Sequence, residues 1–233
     1  MTEQRQDSKA SADDGGIINR RLDGERLKWK EIGCRHVIQN RWIDFREQEF
    51  RFPDGTTFTP YYSYTRRDYA VIVATDTDGN YICVRQFRQG IMKVTTEFPA
   101  GGLDHAGDAE YGSRDDPAGY ENDLAAARRE LLEETGYESD DWQHLITVPS
   151  NATITCNHAY VWQARNCRRV RDQKLDDTEF LQIEIHTPEH LEHLIFTGEF
   201  EQSIHVMGWL LAQRNNLLHS SGGRNQDAGS NRK

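Results

Sequence analysis

One segment constrains this chain more than any other. Asn122 to Gly136, NDLAAARRELLEETG, reads as the first clear helix, with Gly136 at the expected C-terminal stop. At about 100° per residue, Glu130, Glu133 and Glu134 fall within one arc of roughly 100°, while Leu124, Leu131 and Leu132 point the other way. Ala126 and Ala127 lie near the acidic arc one turn earlier, and such small side chains leave the approach to it open. Carboxylates at i, i+3 and i+4 repel one another, so the cluster calls for a cation. An all-oxygen set without His or Cys suits a hard ion, Mg²⁺ or Mn²⁺, rather than zinc. Glutamate-rich helix faces are also common as plain solvated surface. Taken alone, RRELLEE fits either description.

The setting narrows the choice. Upstream, WIDFREQEFRF alternates apolar and polar residues from Trp42 to Phe52, the period of a half-buried strand. Pro53-Asp54-Gly55 turns the chain, and TTFTPYYSYTRR returns as a second strand. YAVIVA and YICVRQF form a hairpin about Asp78-Gly79, the type of pair that supplies positive φ. A glycine-rich turn, EFPAGGLDHAG, and a polar stretch lead into the helix. After it, HLITV, HAYVWQA and FLQIEIH read as strands; TPEHLEHLIFTG and Gln202 to Arg214 read as closing helices. Strands interleaved with helices make this an α/β chain. Residues 1–16 and 219–233 are polar and small, and are expected to be disordered tails.

Composition removes several functions. Thirty-eight acids against twenty-eight bases leave a net charge of −10, the wrong sign for a generic nucleic-acid binder. No apolar run approaches the ~20 residues of a membrane span, and the first residues carry no apolar signal region. Cys34, Cys83, Cys156 and Cys167 form no CxxC pair, which fits free thiols in a reducing, cytoplasmic setting.

Residues Arg129 to Tyr137, RELLEETGY, match the second half of the Nudix box, GX5EX7REUXEEXGU, at all seven of its specified positions. Glu121 and Arg129 keep the EX7R spacing. Pro99-Ala100-Gly101-Gly102 supplies the box's turn, but nineteen residues separate Gly101 from Glu121 where five are usual. An insertion of about fourteen residues, roughly His105 to Pro117, accounts for the difference and is expected to be a tolerated surface loop. From Trp29 to Gln213 the chain resembles the ADP-ribose pyrophosphatase branch of Nudix hydrolases. The segments VRQFRQG, LDDTEFLQIEI and GEFEQSIHVMGWLLA carry that likeness.

The resemblance implies an α/β/α sandwich around a mixed sheet over residues 67–218. A β-rich extension over 17–66 precedes it and helps to form a homodimer. It implies that Glu130 and Glu134 ligate two or three Mg²⁺ ions (or Mn²⁺), with Glu133 a further ligand or support and the Ala100 carbonyl another. Arg129 matches the arginine that orients these glutamates. Arg88 and Glu97 match positions facing the substrate's ribose and phosphates; a surface ion pair and a turn cap are their plainer readings. The general base is sought in LDDTEF, where Glu179 lines up best, with Asp177 beside it and a merely acidic loop as the alternative. The implied reaction is hydrolysis of a nucleoside diphosphate sugar, foremost ADP-ribose to AMP and ribose 5-phosphate. GDP-mannose, another sugar nucleotide, a dinucleotide or a non-catalytic nucleotide-sensing role stand as alternatives. One departure bears on substrate choice. The PSPGxxxE-like loop of many ADP-ribose hydrolases is here PSNATITCNHAY, with Asn157 and His158 near the place of the usual acid.

Overall fold

The run YAVIVA is apolar at every position, as a strand covered on both faces must be, and it lies at the centre of the structure. The computed structural model describes residues 24–40, 42–104 and 121–222. After a short 3-10 helix (Gly24–Leu27) come β1 (Lys30–Asn40), β2 (Ile43–Arg51), β3 (Thr57–Thr65), β4 (Tyr69–Asp76) and β5 (Tyr81–Arg88). Next are β6 (Lys93–Glu97), β7 (Ala100–Gly102), α1 (Asp123–Thr135), β8 (Tyr137–Glu138) and β9 (Asp141–Pro149). The chain continues with β10 (His158–Arg169), β11 (Leu181–His186), α2 (Pro188–Thr197) and α3 (Ser203–Gly222).

β1, β2 and β3 form one sheet in that order. The others form an eight-stranded sheet, β11-β5-β4-β10-β8, with β6 on β5, β7 on β4 and β9 on β10. The large sheet is mixed: β4 and β10 run parallel, Val71 opposite Val161, and β5 lies antiparallel to β11.

Side chains alternate across β4 and so divide the core. Val71 and Val73 face one side with Phe98, Leu191, Phe200 and Trp209, under α2 and α3. Ala70, Ile72 and Ala74 face the other with Ala126, Ala127 and Leu131, under α1. The expected α/β/α sandwich around a mixed sheet is what forms. Ala126 and Ala127 are fully buried in this packing. They let α1 approach the sheet closely and open no path to the acidic arc, contrary to the expectation from their size.

Local chemistry sets the ends of α1. The Asn122 side chain accepts from the Leu124 and Ala125 amides at 3.1 and 3.4 Å. Gly136 takes φ 73° and bonds the Leu132 carbonyl. A Cβ there would also strike the Arg171 carbonyl, so only glycine fits.

Contacts divide the described residues into two compact units: 24–35 with 47–61, and 36–46 with 62 onward. In the first unit Trp29 packs edge-on against Phe52, ring centroids 4.4 Å apart, and against Phe50 and Tyr61. Residues 36–46 and 62–66, assigned to the N-terminal extension from sequence, group with the second unit. α3 continues to Gly222, past the boundary expected at His219, because no helix breaker intervenes before the glycine pair 222–223. The tail 1–16 and the insertion His105 to Pro117 lie outside the described residues. Among the described residues no helix is long and apolar enough to cross a membrane.

Leu131 is fully buried and anchors α1 to the sheet. Leu131→Ala is expected to cost ~3 kcal/mol through lost burial and a residual cavity, read as a lower denaturant midpoint at unchanged m-value.

Candidate active site

The short β7 turn lies directly on the acidic face of α1. The Ala100 amide donates to Glu134 Oε2 at 3.0 Å, and the Gly102 carbonyl accepts from Arg129 Nη2 at 2.9 Å. Between them, an ideal Cβ on Gly101 would fall on the Glu130 carboxyl group, so glycine is what allows the contact. Glu130 and Glu134 are only 7% and 3% exposed. That burial excludes the solvated-surface reading of the helix face.

Arg129 gathers the surrounding acids. Its Nη1 donates to Glu130 at 2.8 Å and to Glu133 at 3.1 Å, and its Nη2 donates to Glu121 at 2.9 Å. The residue that sequence spacing paired with Arg129 is therefore its ion-pair partner. Asp104 stands 3.5 Å from Arg129 Nε, and the Glu121 amide bonds the Asp104 carbonyl at 2.8 Å.

Burial dominates the electrostatics. It pushes the Glu130 carboxyl up to about 7, against the pull of Arg129 and helped by Glu179 and Glu133. Burial also holds Glu134 well above the ordinary carboxylate range, with the Glu130 charge adding to it and the Ala100 amide opposing. Two carboxyls this desolvated hold protons firmly; a compensating positive charge would displace them.

The chain after β10 folds back onto the end of α1. The Val170 amide bonds the Gly136 carbonyl at 2.9 Å, and the Lys174 amide bonds the Glu133 carbonyl at 2.9 Å. Gln173 Nε2 donates to the Glu134 carbonyl at 2.6 Å. A turn follows in which the Glu179 amide bonds the Asp176 carbonyl and Glu179 Oε2 accepts from the Asp176 amide at 3.0 Å. Glu179 is half-buried, and its charge raises both Glu130 and Glu134. Asp177 is exposed. The two candidates from LDDTEF thus separate by position.

Ala100, Gly101 and Gly102 also line a cavity of about 770 Å³. Three arginines border it, Arg66, Arg67 and Arg88, with the aromatic rings of Trp42, Tyr64 and Tyr69. Arg88 Nη2 stands 2.6 Å from Glu97, which is fully buried. Arg88 makes an ion pair and also lines the cavity. Burial raises the Glu97 carboxyl and Arg88 opposes that rise. Ser150, Asn151 and Asn157, from the loop that departs from the PSPGxxxE pattern, line the cavity too, and Asn157 Nδ2 holds the Arg67 carbonyl at 3.2 Å. His158 opens β10 with its amide on Asp68 at 2.7 Å.

Sequence reading passed over Arg66, Arg67, Trp42 and His205. The dibasic pair just before YAVIVA was the available signal, since the start of a central strand opens on a cleft.

The sequence model of the NUDIX domain matches residues 65–205, more than half of the chain. The chain belongs to the Nudix family. Two Bacillus proteins are similar to about two thirds or more of the chain. The ADP-ribose pyrophosphatase of Bacillus subtilis (strain 168) is 25% identical over 158 residues, 67% of this chain and 77% of the relative. The methanol dehydrogenase activator of Bacillus methanolicus is 25% identical over 174 residues, 73% and 85%. The ADP-ribose pyrophosphatase of Mycobacterium tuberculosis (strain ATCC 25618 / H37Rv) is 33% identical over 99 residues, 42% of each chain. In fold, the crystal structure of an ADP compounds hydrolase superposes with a TM-score of 0.68 at 20% identity, covering 88% of this chain and 99% of that one. This is a Nudix hydrolase, ADP-ribose pyrophosphatase-like at modest identity.

A pH dependence follows from Glu130. Its folded pKa of about 7 exceeds the ordinary 4.5, so the folded state binds more protons than the unfolded chain between those values. The contribution to stability is full below pH ~4.5 and is lost as pH rises through ~7, on the order of 3 kcal/mol in a chelating buffer. Denaturant unfolding at about pH 5 and about pH 8 is expected to show a smaller loss in Glu130→Gln than in the wild type, the raised carboxyls of Glu134 and Glu97 contributing to both.

Proposed function

We propose that this Nudix hydrolase cleaves the diphosphate of a nucleoside diphosphate sugar, with ADP-ribose yielding AMP and ribose 5-phosphate as the foremost substrate. One observation carries the reading. The Ala100–Gly102 turn has buried carboxylates packed on it, and it borders an arginine-lined cavity. The names of two curated relatives agree with it.

The donor set fits a hard divalent ion, Mg²⁺ foremost: carboxylate and carbonyl oxygens, partly desolvated, with no His or Cys among them. Among the described residues no three His, Cys, Asp or Glu side chains stand ready-made around one point. Glu130 is turned to Arg129, and Glu134 to the Ala100 amide. Glu130, Glu133 and Glu134, with the Ala100 carbonyl, are the proposed ligands. Two or three bound ions would supply charge stabilisation at the attacked phosphorus and a more acidic attacking water.

The chain's own residues do the rest. Arg129 holds Glu130 and Glu133 in place from one guanidinium. Glu179, half-buried and felt electrostatically by both buried glutamates, accepts the water's proton. The rim arginines Arg66 and Arg67 offer positive charge to the phosphates, and Arg88, paired with Glu97, lines the same cavity toward the ribose. A homodimer and a cytoplasmic location belong to the same proposal; the first rests on the resemblance, the second on the scattered cysteines.

The test is monophosphate release from a panel holding ADP-ribose, GDP-mannose, other sugar nucleotides and dinucleotides, with Mg²⁺. ADP-ribose turned over fastest supports the reading; another winner reassigns the substrate, and no release at all defeats the proposal. Glu134→Gln is expected to lower turnover at least ~10²-fold, about 3 kcal/mol of transition-state stabilisation, in a folded protein. Near-wild-type turnover at saturating Mg²⁺ would sink the ligand assignment.

Glu179→Gln is expected to lower kcat by ~10²–10⁴-fold with little change in KM, as a proton acceptor acts in the transition state. Asp177→Asn, on the exposed side of the same loop, is expected to stay within about threefold of wild type. The reverse pattern moves the base by two residues.

A further inference from the structure

His205 lies on α3 in the wall of the cavity, 5% exposed. Its Nδ1 accepts the Phe98 amide proton at 3.1 Å. Phe98 lies parallel to the ring, 4° between planes, and Phe200 packs against it at 66°. A neutral imidazole carries one N–H, so with Nδ1 accepting, the proton sits on Nε2. Burial and the positive charge of Arg88 push the pKa down to about 3, so the ring is neutral at working pH. Nε2 has no protein partner among the described residues, yet it is not among the polar atoms sealed from solvent. The donor therefore opens on the cavity that the ring lines.

The surroundings say what it meets. Arg88 acts on His205 by its charge, which Glu97 offsets at 2.6 Å, and Gln202 lines the same cavity. This corner carries polar groups and little net charge. Arg66 and Arg67, by contrast, are exposed, and among the described residues Arg67 pairs only with a distant Asp104 at 3.8 Å. A phosphate suits the cationic rim; a neutral, oxygen-rich group suits the corner.

We propose that His205 is a specificity-determining residue whose Nε2–H donates to an oxygen of the substrate's terminal sugar, in the corner it shares with Arg88 and Gln202. The assignment rests on the nucleoside diphosphate sugar reading above and adds to it a residue and an orientation. Sugar oxygens lie against α3, and the phosphates lie toward Arg66 and Arg67.

Two substitutions divide the functions of the ring. In His205→Asn the side-chain oxygen replaces Nδ1 as acceptor for Phe98, and the donor to the cavity is lost. In His205→Gln the amide nitrogen reaches the place of Nε2 and keeps the donor. Each is assayed on ADP-ribose and on the methyl ester of ADP, which keeps the diphosphate and the adenosine but lacks the terminal ribose. His205→Asn is expected to lose about 10- to 100-fold in kcat/KM on ADP-ribose, mainly through KM, and no more than about twofold on the methyl ester. His205→Gln is expected to stay within about fivefold of wild type on both. Equal losses on the two substrates, or no loss on ADP-ribose, overturn the assignment. Calorimetric binding of ADP-ribose in a chelating buffer separates the two readings. A wild type that binds there yet cleaves nothing once Mg²⁺ is supplied defeats the hydrolysis proposal, and His205 is then judged by the ratio of dissociation constants. A wild type that neither binds nor cleaves any nucleoside diphosphate sugar overturns both.

Discussion

The close approach of the β7 turn to the acidic face of α1 is the contact on which the rest depends. Gly101 has no Cβ, and the Glu130 carboxyl occupies the space one would fill. The Ala100 amide and the Gly102 carbonyl, one residue to either side, then reach Glu134 and Arg129. A single missing methyl group thus brings a strand end and a helix into register. It also desolvates two carboxylates that water would otherwise keep ionised. Leu131 on the opposite side of the helix supplies the apolar anchorage that resists their repulsion. Stability and chemistry pull α1 in opposite directions, and the sheet under it decides the outcome.

A second contact brings in a distant part of the chain. The end of α1 has carbonyls with no helical partner, and the amides of Val170 and Lys174 with the Gln173 side chain satisfy them. The segment that ends in Glu179 is therefore fixed to the helix that carries Glu130 and Glu134. The acid felt by both buried glutamates owes its place to helix capping as much as to its own side chain.

Local patterns were legible in the sequence and distant convergence was not. α1 was readable because its spacing, its Gly136 stop and the RELLEETGY match all lie within a few turns of chain. β4 and β5 were readable as apolar runs about a Gly79 turn. β1 escaped notice because it is exposed along nearly its whole length and shows no alternation. β6 has five residues, too few for a period to register. Among the site residues, the Arg129–Glu121 pair followed from spacing alone. The preference for Glu179 over Asp177 came from the resemblance; the difference in burial between the two acids was not visible in the sequence. The cavity wall draws on Trp42, Arg66, Arg88, Asn151 and His205, so no window of sequence contains it. Ala126 and Ala127 misled because a small side chain signals an open path and a tight helix–sheet contact equally well.

The hydrogen bond between the Glu121 amide and the Asp104 carbonyl has a wider consequence. With Arg129 reaching toward both residues, it closes a neck where the chain leaves the turn and re-enters the helix. The entropic cost of closing such a neck grows only as the logarithm of the chain length between its two ends. A motif written as a count of residues is thus shorthand for a pair of points held together in space.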